Sequence, residues 1–259
     1  MEPVLLDVAD GIARLTLNRP DAANSLDLPM ARGLLDAARA LRHRDDVRVV
    51  LLRGAGARFC AGGDVPSFAE ADDPSGHIRQ VTLPLHDAIS LLSRLDAPIV
   101  ASVQGSAAGA GLGLVLGADL VLAAASTKFV MAYTAIGLTP DGSSSWYLPR
   151  IVGLRRAVEL TLTNRVLTAA EAESYGIVTR TVADEALDDE TEALVRQLAV
   201  GPTRALGAAK RLLAGAMTTT LESHLATESE AITAAAATAD GREGLASFRE
   251  KRKPSFLGR

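Results

Sequence analysis

The stretch Pro98–Asp119, PIVASVQGSAAGAGLGLVLGAD, constrains the fold of this chain more than any other. Its first apolar run, Ile99–Val103, reads as a buried strand. A turn of small residues, Gly105–Gly111, follows. From about Leu112 to Leu122 the pattern is that of an apolar helix with no large side chain in its first turn. Strand, tight turn and helix in immediate succession are the building unit of an α/β layer. The same arrangement leaves bare amide groups at a helix N-terminus, where anions and developing negative charge are favoured. The turn carries no catalytic acid or base, so those groups have to come from elsewhere in the chain.

The flanking sequence fits such a layer. Val4–Val8 and Ile12–Leu17 read as two strands around the turn Ala9-Asp10-Gly11. Leu28–Arg42 is helical, with Leu34, Leu35, Ala38 and Leu41 at helical spacing. Val47–Arg53 reads as a buried strand, Gly54–Asp64 as a loop and Val81–Arg94 as an amphipathic helix. Short strands are expected at Leu120–Ala124, overlapping the end of the helix above, and at Lys128–Val130. Helices at Leu154–Thr163 and Ala169–Tyr175 precede a strand at Ile177–Val182. Beyond Asp184 the pattern is almost wholly helical, about 185–199, 202–215, 218–237 and 241–251. The expectation is an α/β core over residues 1–195 and a helical packing or association region over 196–259.

Composition narrows the function. Hydrophobic residues make up 48%, enough for a full core, and with only 3% aromatics that core is built mainly from Ala, Val, Leu and Ile. A net charge of −4, with no basic stripe, argues against nucleic acid as a partner. The single cysteine, Cys60, excludes a disulfide framework and a cysteine metal cluster. The N-terminus, MEPVLLDVADG, has acids and no long apolar run, so no signal peptide is expected. The apolar stretch around Leu112–Ala125 is interrupted by Gly113, Gly117 and Asp119 and is too short to span a bilayer. A cytoplasmic protein with no membrane partner and no bound metal is the expectation.

The glycine turn has two other readings. Gly109-x-Gly111-x-Gly113 departs from the G-x-G-x-x-G dinucleotide spacing, and no acid follows at Thr127–Val130. The glycines could also serve only close helix–strand packing. A second segment, Arg58-Phe59-Cys60-Ala61-Gly62-Gly63-Asp64, again exposes small-residue backbone at a strand exit. Amide donors from two separate strand ends suit a thioester oxygen that is becoming an enolate.

Further motifs stand along the chain: Leu17-Asn18-Arg19-Pro20 with Asn24-Ser25-Leu26, Ile136-Gly137-Leu138 with Pro140, and Leu148-Pro149-Arg150. The run Leu167–Val178 and the tail Phe248-x-x-Lys251-Arg252-x-Pro254-x-Phe256 complete them. With Arg58–Asp64 and Ala97–Asp119 they cover nearly the whole chain. In this order the sequence resembles the crotonase, or enoyl-CoA hydratase/isomerase, superfamily. The resemblance implies a spiral of ββα units, a C-terminal helical region that builds a homotrimer or a dimer of trimers, and an acyl-CoA thioester substrate. Coenzyme A then enters as part of the substrate, with no separate cofactor. The resemblance also implies that the amides of Gly63 and Ala110 form the oxyanion hole, with the helix after Gly111 adding its dipole. Ala22, Ala23, Ser25, Ala61, Gly62, Asp64, Gly111 and Ile136 would line the substrate and CoA cleft. Phe248 and Lys251 match tail positions that approach CoA, often from a neighbouring subunit, although Lys251 also suits a solvated basic tail.

The departures from the family pattern carry information. Hydratases of the family hold water between two glutamates. Here those positions are Gly113 and Tyr133, and a phenol titrating near pH 10 is no base at neutrality. Asp141, in Pro140-Asp141-Gly142, is the acid near the acyl chain. It could simply cap the following helix. In the family context it resembles the single aspartate of enoyl-CoA isomerases, including the ring-epoxide isomerases of phenylacetyl-CoA breakdown. It also resembles the nucleophilic aspartate of 4-chlorobenzoyl-CoA dehalogenases. Those dehalogenases also use a histidine, and here His86 falls beside that position and Asp87 on it. His86 otherwise reads as a helix-surface residue. The expected activity is enoyl-CoA isomerisation, with Asp141 moving the proton and Tyr133 shaping the acyl pocket or donating a hydrogen bond. A hydratase with atypical residues, a dehalogenase-like hydrolase and a weakly catalytic CoA-ester binder are the alternatives.

Overall fold

The computed structural model describes residues 2–259. A hairpin of β1 (Val4–Ala9) and β2 (Ile12–Leu17) opens the chain, turning at Asp10 and Gly11, which both take positive φ. β3 (Val49–Gly54), β4 (Ile99–Val103), β6 (Leu120–Ala124) and β9 (Arg180–Val182) add in parallel to give a sheet ordered β1-β2-β3-β4-β6-β9. A second, small sheet is ordered β5-β7-β8, from Ser106–Ala108, Lys128–Val130 and Leu167–Thr168. An isolated bridge from Cys60 to Ala107 extends it.

The large sheet is covered on both faces, which is why its strands read as continuous apolar runs. Along β3, Val50 and Leu52 belong to the main core, while Val49 and Leu51 face the other way. The main-core side packs α1 (Leu28–Arg42) and α3 (Pro74–Leu92). The far side is covered by α8 (Leu187–Ala199), through Leu187 and Val195. Three large-sheet strands lead into the small sheet and then into helix: β3 to Cys60 and α2 (Val65–Ala69), β4 to β5 and α4 (Ala110–Leu116), β6 to β7 and α5 (Ser144–Val152). This is the expected spiral of ββα units. The chain continues through α6 (Leu154–Thr163) and α7 (Ala169–Ser174). It ends in α9 (Thr203–Gly215), α10 (Leu221–Ala236) and α11 (Ala239–Glu250).

Several boundaries differ from the sequence expectation. α3 begins at Pro74, seven residues before Val81, because the Asp73 carboxylate caps the Gly76 amide and proline occupies the first turn. The apolar run from Ala110 stops being helix at Leu116, well short of Leu122. Gly117 ends it, and the Asp119 carboxylate accepts from Ile99 N–H and the Lys210 ammonium. The glycine turn holds a short strand, β5, and Ser144–Val152 is a helix despite Pro149. The strand expected over Ile177–Val182 begins only at Arg180, since Ile177 and Val178 bond back to Ala172 O. Among the described residues no helix is long and apolar enough to cross a membrane.

Candidate functional site

The two small-residue exits lie against one another. Cys60 N–H donates to Ser106 O, and Ala108 N–H donates back to Cys60 O. A Cβ on Gly62 would stand 2.9 Å from Ala108 O, and one on Gly109 3.7 Å from Gly62 Cα. The Gly62 position leaves no room for a side chain, so the two backbones pack closely. Gly109 and Gly62 both take positive φ, a conformation glycine adopts without steric cost. Immediately after these glycines come Gly63 and Ala110. Among the described residues neither of their amides finds an acceptor. The Ala110 amide opens α4 and points past its N-terminus, as first-turn amides do.

Both residues line a pocket of about 200 Å³ together with Leu26, Phe68, Val81, Leu85, Tyr133, Leu138 and Asp141. All four catalytic candidates read from the sequence thus share one apolar pocket. Asp141 is the one acid among the described residues that line it. Its carboxylate does not cap α5: the preceding Ser143 makes no side-chain cap bond, and the Ser144 amide goes to the Asp141 main-chain oxygen. That oxygen also accepts from the Ser144 hydroxyl at 2.7 Å and the Tyr133 hydroxyl at 2.9 Å. Burial, reinforced by the nearby Asp141 charge, pushes the Tyr133 phenol well above its ordinary value. Tyr133 is therefore a fixed donor that holds the Asp141 backbone, not a base.

The side chain of Asp141 meets a partner that helical periodicity assigns to solvent. His86 Nε2 lies 2.6 Å from Asp141 Oδ1. With the carboxylate ionised, the Nε2–H donates to it. His86 is 48% exposed and Asp141 29%, so this pair forms the wet edge of the pocket. The sequence signals were a lone histidine on an amphipathic helix and its place one residue from the histidine of the dehalogenase pattern. The early start of α3 adds Ile78 to the apolar wall that Val81 and Leu85 supply, and α2 supplies Phe68.

The other candidates divide into two groups. The loop holding Ala22, Ala23 and Ser25 runs beside Ala61, Gly62 and Asp64: Ala61 N–H donates to Ala23 O, Leu26 N–H to Gly62 O and Asp64 N–H to Leu26 O. Arg19 ties the two by donating to Ser25 O and to the Asp64 carboxylate, which also caps α2 at the Ser67 amide. Buried Asn24 fixes this junction, its Nδ2 donating to Ala55 O and Arg58 O while its Oδ1 accepts from Arg19 N–H. Gly111, by contrast, packs on Cys60: a Cβ there would stand 2.8 Å from the thiol sulfur, so its role in this chain is close packing. Ile136 is half exposed in a short 3-10 turn, two residues from the pocket-lining Leu138. Phe248 and Lys251 are exposed on and just after α11 and do not line the pocket of their own chain.

Residues 7–259 match the sequence profile of the family described as enoyl-CoA hydratase/isomerase. The 1,2-epoxyphenylacetyl-CoA isomerase of Escherichia coli is 39% identical over 100% of both chains. The 4-chlorobenzoyl coenzyme A dehalogenase-2 of an Arthrobacter species is 35% identical over 96% of this chain and 91% of its own. A crystal structure of enoyl-CoA hydratase from Mycobacterium smegmatis superposes with a TM-score of 0.92 at 32% identity, covering 99% of both chains.

Proposed function

Because the chain belongs to the enoyl-CoA hydratase/isomerase family of the crotonase superfamily, we propose that it is an acyl-CoA isomerase whose single base is Asp141. The observation that carries this reading is the pocket itself: two amides, Gly63 and Ala110, with no acceptor among the described residues, and one carboxylate, in a mainly apolar lining. The thioester oxygen accepts from both amides. Electrons released when Asp141 takes a proton from the α- or γ-carbon move onto that oxygen, where the donors and the start of α4 stabilise the enolate. Return of the proton from Asp141 to the other carbon shifts the double bond and regenerates the carboxylate. The proton is conserved and no cofactor is consumed, coenzyme A being part of the substrate.

Two features favour isomerisation over hydration. Gly113 offers no carboxylate on α4, and Tyr133 is held as a hydrogen-bond donor. The test is Asp141→Asn assayed for double-bond migration in enoyl-CoA thioesters of several lengths. Loss of at least about 100-fold in kcat, typical for removal of a positioned base, is expected, with a melting temperature near that of the parent. Undiminished turnover removes Asp141 from the mechanism.

The His86–Asp141 contact favours a second reading, in which the carboxylate is a nucleophile. It attacks a ring carbon, a halide leaves with the bonding electrons, and water deprotonated by His86 hydrolyses the resulting aryl ester. One solvent oxygen then remains in Asp141. Single turnover in ¹⁸O-labelled water separates the two: isomerisation leaves the carboxylate unlabelled.

A further inference from the structure

Asp141 reaches the pocket on the turn 141–143, and that turn is seated directly on α4. A Cβ added to Gly113 would lie 2.1 Å from Gly142 O and 3.0 Å from Gly142 C, both backbone atoms that no rotamer change can move. One helical turn earlier, the Cβ position of Gly142 stands 3.0 Å from the Ala110 Cβ. Residues three apart on a helix share a face, so Ala110 and Gly113 together form the floor of the turn. Gly142 and Ser143 both take left-handed φ, 57° and 67°, which bends the chain down onto that floor. From above, Tyr133 and Ser144 hold the Asp141 carbonyl. The segment bearing the base therefore rests on the residue whose amide is the second oxyanion donor.

We propose that Gly113 is a positioning residue of this site: its missing side chain lets the turn approach α4 and bring a carboxylate opposite the oxyanion donors. Any side chain at 113 and Asp141 in its present position exclude each other. Gly113 touches no reacting atom and acts by positioning Asp141. The inference rests on the reading of Asp141 as the base, but its geometry is testable apart from activity.

The test compares Gly113→Ala with Gly117→Ala. Both replace glycine by alanine in or at the end of α4, but a Cβ at Gly117 meets nothing closer than 3.5 Å. In Gly113→Ala the crystal structure should show the turn lifted and the His86–Asp141 hydrogen bond broken. Its kcat for double-bond migration should fall on the order of 100-fold, as for a reacting group displaced by about 1 Å. Affinity for a saturated acyl-CoA, read from its thermal shift, should stay within about threefold, and Gly117→Ala should match the parent throughout. An intact His86–Asp141 bond in Gly113→Ala overturns the proposal. So does a Gly113→Ala chain that no longer melts cooperatively, because then the helix, not the turn, depends on this glycine. If the turn lifts while Asp141→Asn keeps full turnover, the steric claim stands and the assignment of the base fails instead.

Discussion

Asp141 owes its position to contacts made by its main chain rather than its carboxyl group. Three donors converge on its carbonyl oxygen, two from Ser144 and one from Tyr133, leaving the carboxylate free for His86 and the pocket. Below the glycine exits, Cys60 is buried, its thiol donating to Asn24 O and its sulfur accepting from Gly62 N–H. Burial pushes the thiol up to about 12. The folded state then keeps a proton that the unfolded chain loses near pH 9, so this residue's contribution to stability falls as pH rises from about 9 to about 12. Between pH 8 and pH 10 the parent should lose about 1 kcal/mol more than Cys60→Ala in urea unfolding. Equal losses would mean that the thiol ionises without resistance. At this scale the sequence was informative where motif and chemistry coincide, at Gly63, Ala110, Tyr133 and Asp141. It marked His86 only as lying beside a family position and did not pair it with Asp141, since a contact across 55 positions depends on how α3 and the 141–143 turn meet in space.

Elements follow local signals where their own side chains decide them. α1 ends where the pattern ends, and the β1–β2 turn takes the positive φ values that Asp10-Gly11 invites. α3 was legible only in its second half, because its first turns are polar and carry no apolar period. Ile78 of α3 and Phe68 of α2 were lost from the pocket wall with it, while Val81 and Leu85 fell in the legible part. The tail after α11 is fixed by acids that simple periodicity reads as solvated. Buried Asp240 accepts from the amides of Leu257 and Gly258. Glu243 takes a bidentate pair from Arg252 and the Ser255 amide, and these bonds hold its carboxyl down at about 2. Its folded value lies below the unfolded one, so its contribution is complete above about pH 4.5 and is lost as pH falls toward about 2. Amide exchange in residues 252–258 should accelerate, relative to α1, between pH 5 and pH 3, and Glu243→Gln should already show the faster exchange at pH 7. A tail equally protected at both pH values would show that this pairing does not hold it.

The whole molecule presents large apolar side chains on and between its C-terminal helices: Leu213, Met217, Leu221, Ile232, Leu245 and Phe248 are all more than half exposed. A monomer has little use for such a surface. Sedimentation should give a mass of three chains of 27.0 kDa, or twice that, and Ile232→Glu should shift it toward one. A monomer at micromolar concentration would remove the association role of residues 196–259 and leave Phe248 and Lys251 without a neighbouring site to approach. The pocket lies where two turns of the spiral meet. A crystal structure with an enoyl-CoA bound to Asp141→Asn tests its role most directly. The thioester oxygen should lie within about 3.1 Å of both the Gly63 and Ala110 nitrogens, with residue 141 facing the α- or γ-carbon. A thioester oxygen bound away from these two amides, or an acyl chain whose reacting carbons lie out of reach of residue 141, would contradict it.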